Sequence, residues 1–459
     1  MMMLSQAAKA LHAELLGEDA LFTGVSKDTR SIDRGDLYVA IRGESFDGHE
    51  FVRQAAAAGA AGALVSELQA AGLPQVRVDD TRLSLGRLAA YWRDGFNGKL
   101  VGITGSNGKT TVKEMCRRIL EQAAGNDRVL ATAGNLNNDI GLPLTLLGLR
   151  EHHHYAVIEM GANHVGEIDY LTQIARPHVA LVNNAGPAHL QGFGSVGQVA
   201  LAKSEIYGGL VNGGVAIINA DDDHANLWRE VCGERKVLHF SMQSRAAEIF
   251  GEVTTVDGSS ELYVETPSGS GFIRLQVSGA HNAMNALAAT AVACALGIDL
   301  NNVIRALSGF TGVPGRLVIS RAASGARIID DSYNANPRSL DAAMQVLVEQ
   351  RADSSVDSWL VLGDMAELGA DTESLHRQVG QRARELGVRH LLATGEASRH
   401  AVEAFGPGAE YYTEKAQLIE RLSAGLTPNS IALIKGSRMM AMEQVVNALL
   451  DRTTVGGLH

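Results

Sequence analysis

Cysteine is scarce and scattered. Cys116, Cys232 and Cys294 are the only three in 459 residues, and no two form a CxxC pair, so neither a disulfide framework nor a structural zinc site is expected. Long hydrophobic runs are missing too. No apolar stretch approaches the roughly eighteen residues of a membrane helix, so no membrane insertion is expected. The opening MMMLSQAAKALHAELL has no basic start and no small-residue cleavage site; it reads as an amphipathic helix rather than an export signal. Nor is there an excess of basic charge. A formal net charge of -11 is the wrong sign for a broad surface that displaces counterions from nucleic acid. A nucleotide held in one local site stays compatible. These absences lead to the expectation of a cytoplasmic protein that does not bind nucleic acid.

What is present is α/β grammar. Hydrophobic residues make up 46% and charged residues 20%, ordinary for a folded chain, and the length exceeds what one core usually supports. A first region, 1–85, alternates GDLYVAI with the helical HEFVRQAAAAGAAGALVSE and reads as a small α/β domain. A second, 86–313, carries the apolar runs KLVGIT, YAVIEMG, HVALVNN and GVAIINADDD between helical patterns, the signature of a parallel sheet covered by helices. GFTGVPGRL interrupts that pattern near Val313. A third region, 314–459, then repeats it with RIIDDSY, SWLVLGD, HLLATGE and SIALIKGS. Each of these strands ends on polar or glycine residues, where open α/β sheets bind ligands. The fold class expected is therefore α/β in three domains. The centre is a P-loop parallel-sheet domain and the C-terminal domain is Rossmann-like.

The segment VGITGSNGKTTVKEM (101–115) carries the strongest chemical signal. KLVGIT makes a strand, and Val112, Met115, Cys116, Ile119 and Leu120 follow one helical face, so GSNGK joins strand to helix. In that setting Gly105, Ser106, Asn107 and Gly108 let backbone N–H groups converge on phosphate, Lys109 neutralises charge, and the Thr110 hydroxyl, followed by Thr111, can ligate magnesium. The spacing departs from the commonest phosphate loop, whose first glycine position is Ile103 here. A glycine-rich turn capping a helix would use the same residues. The loop alone does not separate GTPase, kinase, motor and ligase. Glu159 closes a buried strand, where a carboxylate can hold magnesium or simply be solvated. By physics alone His189 is a loop histidine and Lys203 a surface lysine. The run HHHY at 152–155 has no matching metal ligands and reads as a solvated loop.

Together these segments resemble the Mur ligase family, ATP-dependent enzymes that extend the peptide of bacterial cell-wall precursors, and the likeness spans nearly the whole chain. TGSNGKTT is similar to the family's ATP loop, EMG to its magnesium glutamate (Glu159), and AHL…AKSE to its second metal region. The resemblance implies ATP and two Mg2+ ions, with Thr110, Glu159, His189 and Lys203 around the metals and Lys203 carbamylated, which turns a cation into an anion. GAHNAMNAL implies that Asn282 approaches the adenine, or caps its helix. PGRL and DDSYNANP imply that Arg316, Asp331, Tyr333 and Asn334 complete the ATP site from the C-terminal domain. The catalytic set implied is Lys109, His189, Lys203 and Arg316, with His189 a metal ligand rather than a general base.

DSYNANPRSLDAAM, GDMAELG and SKDTRSIDRGDLYVAIRGESFDGHEF resemble the branch that joins D-alanyl-D-alanine to UDP-N-acetylmuramoyl-tripeptide. Ser26, Asp28, Arg30, Phe46 and His49 are implied at the uridine diphosphate end, and Asn137 and Asn138 in NLNNDIGLPLTLL beside the muramoyl part. A monomer is expected. The rival readings are another amino-acid ligase of the same superfamily and a P-loop regulatory or transport ATPase.

Overall fold

The computed structural model describes residues 1–43, 46–187, 190–256, 259–351, 353 and 355–450. Its centre is a nine-stranded sheet. Strands Val129–Ala131, Tyr155–Glu159, Lys99–Thr104, Val179–Val182, Val215–Asn219, Lys236–Ser241 and Ile249–Val256 lie side by side and parallel, and the sheet continues into antiparallel Ser259–Thr266 and Gly269–Leu275. The apolar runs are continuous rather than alternating because both faces are covered. Leu100, Ala156, Ile158, Ala180 and Val182 face one core with helices Gly141–Leu147 and Glu167–Ala175. Val101, Ile103, Val157, Val179 and Leu181 face the other, with helices Lys109–Ala124 and Ala280–Ala295. Lys99–Thr104 sits between Tyr155–Glu159 and Val179–Val182, so the strand order reverses beside it and a crevice opens at its carboxyl end.

A six-stranded sheet follows, ordered Val318–Arg321, Arg327–Asp331, Ser430–Lys435, Asp357–Gly363, His390–Thr394 and Ala409–Tyr412, parallel except at its first member. It too is apolar on both faces, with Ile329, Leu360 and Leu433 on one side and Ile328, Val361 and Ile434 on the other. A five-stranded sheet, Glu14–Leu16, Gln75–Arg77, Gly62–Val65, Asp36–Val39 and Gly24–Ser26, makes the amino-terminal unit. Its Leu37, Val39, Leu64 and Val76 join the core of the central sheet. No described helix is long and apolar enough to cross a membrane.

Two expectations are corrected. The opening is not one helix: only Leu4–Ala10 is helical, and Glu14–Leu16 pairs antiparallel with Gln75–Arg77. His12 adopts φ +53 and the Ala13 amide turns back to the Ala8 carbonyl, which ends the helix. A boundary at residue 85 falls inside the helix Thr81–Asp94, capped by Asp80 through the amides of Arg82 and Leu83. That helix is anchored to the central sheet's side, with Arg93 donating to the carbonyls of Ala175 and Arg176 and Trp92 to that of Leu149. The parallel central sheet expected is present, and it is extended by the antiparallel strands Ser259–Thr266 and Gly269–Leu275.

Candidate active site

Strand Lys99–Thr104 runs directly into the loop, and Gly108, at φ +78, caps the helix Lys109–Ala124 without any side-chain hydrogen bond. The first amides of the helix are therefore presented to a ligand rather than to a capping oxygen. Glycine is required there twice over: its conformation is left-handed, and a Cβ would come 2.4 Å from Asn285 Oδ1 and 2.6 Å from Asn183 Nδ2. Neighbouring segments hold the loop in shape. Asn107 N–H donates to Asn184 Oδ1 at 2.9 Å, Asn183 and Asn184 each donate to the Asn107 carbonyl at 3.0 Å, and Ser106 Oγ donates to the Gly186 carbonyl at 3.1 Å. Lys109 Nζ donates to the Gly105 carbonyl at 2.7 Å. Burial lowers its pKa, Glu159 opposes that shift, and Arg316 adds to it.

Beneath the loop, Thr110 Oγ1 donates to Glu159 Oε2 at 2.9 Å and Asn137 Nδ2 donates to Glu159 Oε1 at 2.8 Å. Glu159 is 2% exposed, so it is not a solvated strand end. A hydroxyl and a buried carboxylate aimed at one point beside a phosphate loop suit magnesium, which takes one or two protein oxygens and completes its shell with water and phosphate. Among the described residues no group of three or more His, Cys, Asp or Glu side chains is placed to hold a metal ion.

Lys203, on the helix Val196–Ser204, is only 1% exposed, contrary to its reading as a surface lysine. Its ammonium lies 5.4 Å from the centre of the Phe193 ring and 3.4 Å from the Ala162 carbonyl. Burial, with Lys109 adding repulsion, brings its pKa down to about 7 against the pull of Glu167 and Glu205. His189 lies outside the described residues.

The opposite wall comes from the six-stranded sheet. A cavity of about 510 Å³ lies between Ser106–Thr111 and Asn282 on one side and Arg316, Asp331, Asn334, Arg338 and Lys435 on the other. Asn336 Nδ2 donates to Asn107 Oδ1 at 2.8 Å and Arg338 to the Ala185 carbonyl at 2.7 Å, so the two sheets meet across the cleft. Arg316 lies over the Tyr333 ring, 4.2 Å from its centre. Asp331 and Lys435, both buried, form an ion pair, and Lys435 also donates to the Asn334 carbonyl at 2.8 Å. Burial pushes the Asp331 carboxyl up and the Lys435 ammonium down, each opposed by its partner. Asn282 is not the helix cap, which is Gly279; its Nδ2 donates to the Ser278 carbonyl at 2.8 Å and its Oδ1 accepts from Asn285 at 3.3 Å.

Ser26 and Asp28 line a separate cavity, also of about 510 Å³, closed on its far side by Leu136, Leu147 and Arg150. Arg30 chelates Asp28 with Nε and Nη2 and holds that carboxyl well below the usual range. Phe46 is half exposed over Gly43. His49 is turned inward: its Nδ1 meets Asp47 at 2.6 Å and its Nε2 accepts from the Ser66 amide at 2.9 Å. Asn138 Oδ1 accepts from the Gly141 amide at 2.8 Å at the start of a helix. The structure thus brings most of the expected ATP residues to one cleft, while Arg30, Phe46 and His49 lie outside the lining of the other cavity.

Several cleft residues escaped the sequence reading. Lys435 stood in SIALIKGS as a lone cation ending an apolar strand, which was a usable signal. Asn184, Asp222 and Arg338 had none. His281 lines the cavity with a buried Nε2 that has no hydrogen-bond partner, and burial lowers its pKa to about 4, so the ring is neutral.

Comparison with known proteins places these features in context. The chain matches the Mur ligase middle domain over residues 103–293, the Mur ligase glutamate ligase domain over 315–438, and the Mur ligase family catalytic domain over 21–93. It is 44% identical to UDP-N-acetylmuramoyl-tripeptide–D-alanyl-D-alanine ligase of Escherichia coli K12, covering 98% of this chain and 99% of that one. The ligase of the same name from Bacillus subtilis is 32% identical over 98% and 97%. Among solved structures, MurF from Acinetobacter baumannii superposes with a TM-score of 0.87 at 38% identity, covering 96% and 97%. MurF from Thermotoga maritima in complex with ADP gives 0.82 at 26% identity, covering 94% and 98%.

Proposed function

The chain belongs to the Mur ligase family, and on that premise we propose that it joins D-alanyl-D-alanine to UDP-N-acetylmuramoyl-tripeptide, cleaving ATP to ADP and phosphate. The observation that carries the reading is the cleft itself. A phosphate loop with Thr110 bonded to Glu159 on one wall faces Arg316, Asp331 and Lys435 on the other. Relatives that share the whole length of the chain bear that activity in their names.

A carboxylate resists attack by an amine because its charge repels the nucleophile and it lacks a leaving group. The tripeptide's terminal carboxylate oxygen attacks the γ-phosphorus of ATP; the bond to the β,γ-bridging oxygen breaks, giving ADP and an acyl phosphate. The neutral amine of the dipeptide then attacks the acyl carbon, phosphate leaves with the carboxylate oxygen, and the amine's proton is lost. The chain's contribution is placement and charge. The helix amides after Gly108 and Lys109 take the phosphates, and Arg316 meets the γ-phosphate from the facing sheet. Thr110 and Glu159 fit Mg2+, which would neutralise phosphate charge. A carbamate on Lys203, together with His189, would hold a second ion. Carbamylation requires the free amine, and a lysine pKa of about 7 supplies it near neutral pH.

The amino-terminal five-stranded unit binds the uridine diphosphate end through Ser26 and Asp28, the nine-stranded sheet and its helices bind ATP, and the six-stranded sheet brings the acceptor. We infer a monomer working in the cytoplasm, a reading supported by a cleft whose two walls come from one chain. Phosphate release and product mass, with ATP, Mg2+, sugar nucleotide and dipeptide omitted in turn, test the reading. Release that needs all four, with a product heavier by one dipeptide unit, supports it. Release indifferent to the dipeptide and sugar nucleotide overturns it in favour of an ATPase.

A further inference from the structure

We propose that Lys113 is a positioning residue for Glu159, the carboxylate that fits magnesium. The inference rests on the reading of Thr110 and Glu159 given above and names what keeps that pair in register. Lys113 is 2% exposed. It does not line the nucleotide cavity, so it acts through its neighbours rather than on a ligand. Its Nζ donates to the Thr132 carbonyl at 2.7 Å and pairs with Glu114 Oε1 at 2.6 Å. Thr132 passes the constraint on: its N–H donates to the Val157 carbonyl at 3.0 Å, and its Oγ1 accepts from the Glu159 amide at 2.9 Å. The ammonium therefore reaches the backbone of the carboxylate through a single intervening residue.

The helix Lys109–Ala124 thus meets Glu159 twice. Thr110, in its first turn, donates directly to Oε2 at 2.9 Å, and Lys113, three positions on and on the same face, reaches Glu159 through Thr132. The second carboxylate oxygen is held from the far end of the segment that Thr132 begins, where Asn137 Nδ2 donates to Oε1 at 2.8 Å. That end is fixed as well. Gly161 N–H donates to the Asn137 carbonyl at 2.8 Å, and a Cβ on Gly161 would come 2.9 Å from Asn137 Oδ1. Lys113 anchors the base of a short arm, 132–137, whose tip orients the carboxylate. Magnesium demands near-octahedral oxygen placement, so small displacements of this arm matter to it. Stability alone does not call for the buried charge, because apolar side chains of similar volume replace buried ion pairs without loss. What an apolar side chain lacks is the bond to the Thr132 carbonyl.

The test separates metal from nucleotide by binding alone. The Kd of the full-length protein for ATP with an imido group in place of its β,γ-bridging oxygen is measured calorimetrically, once in saturating Mg2+ and once in EDTA. The proteins compared are wild type, Lys113→Met, the double variant Lys113→Met with Glu114→Gln, and Thr132→Val. Wild type should bind the analogue more tightly with Mg2+. Lys113→Met should lose about 10-fold of that gain, the scale of removing support from a metal ligand, while its Kd in EDTA stays at the wild-type value. The double variant also neutralises the carboxylate that Lys113 pairs with, and Thr132→Val cuts the second bond of the chain without touching a charge. Both should show the same loss, so the outcome does not depend on the single variant folding. An undiminished Mg2+ gain in these variants, or affinity lost equally with Mg2+ and in EDTA, would overturn the assignment. A wild type indifferent to Mg2+ would instead overturn the magnesium reading of Thr110 and Glu159 on which it rests.

Discussion

Two cavities of the same volume, about 510 Å³ each, are built in opposite ways. The nucleotide cleft is surrounded by buried charge: Glu159, Lys203, Asp331 and Lys435 are each 6% exposed or less. Each is fixed by the strand or helix that carries it and by a named partner. Charge around the amino-terminal pocket is more open: the Asp28 side chain in its lining is one-third exposed and pairs with Arg30, which lies outside the lining and is 84% exposed. In a low-dielectric site a fixed charge stabilises phosphoryl transfer without reorganisation, so the cleft is made for chemistry. Charges in water are screened and cheap to rearrange, so the pocket is made for recognition that adjusts to its ligand.

The contrast breaks most visibly at Lys109. Lys109→Ala should reduce turnover by about 1000-fold with the circular dichroism spectrum unchanged, as followed by phosphate release. Next is Lys203→Ala, whose turnover should fall by about 10- to 100-fold, the scale of losing metal support. A short added carboxylic acid should restore part of it by standing in for the carbamate; a variant with undiminished activity would remove Lys203 from the site. Asp331→Asn strands the buried Lys435 charge and should cost about 3–5 kcal/mol of stability in a urea titration. Arg30→Ala, which frees Asp28 in the lining of the amino-terminal pocket, should leave the unfolding midpoint where it is and raise the KM for the sugar nucleotide alone.

Lys203 also sharpens the comparison through pH. Its amine pKa is about 7 in the fold and 10.5 when unfolded. Below pH 7 both states hold the proton and the fold bears the full burial cost. Between 7 and 10.5 the unfolded chain binds more protons, so stability rises with pH. In bicarbonate-free buffer the wild type should show this rise and Lys203→Met should lack it. Saturating bicarbonate should raise the wild-type curve without removing its slope between pH 7 and 10.5, because folding with carbamylation still releases the proton that the unfolded lysine holds.

Much of the cleft was legible in local sequence because its parts are local. Strand Lys99–Thr104, the glycine turn and the helical face from Val112 to Leu120 follow from periodicity and turn chemistry. Glu159 is legible as a residue type at a strand end, but its burial is not, since Asn137 and Thr110 reach it from 22 and 49 positions away. Lys203 shows the same limit more strongly. Nothing adjacent to it announces burial; the Phe193 ring and the Ala162 carbonyl do that only after folding. Asn336 and Arg338 act across the cleft, on partners 229 and 153 residues distant. The helix Thr81–Asp94 hid the first boundary because its own capping is strong and both flanking units pack on it.

The central claim is that the two walls build an acyl phosphate rather than hydrolyse ATP. It is tested most directly with sugar nucleotide whose terminal carboxylate carries oxygen-18 at both positions, by mass spectrometry of the phosphate released during ligation. Transfer of one labelled oxygen into each phosphate is the predicted result. Unlabelled phosphate, with all the label retained in the peptide or lost to water, would contradict it.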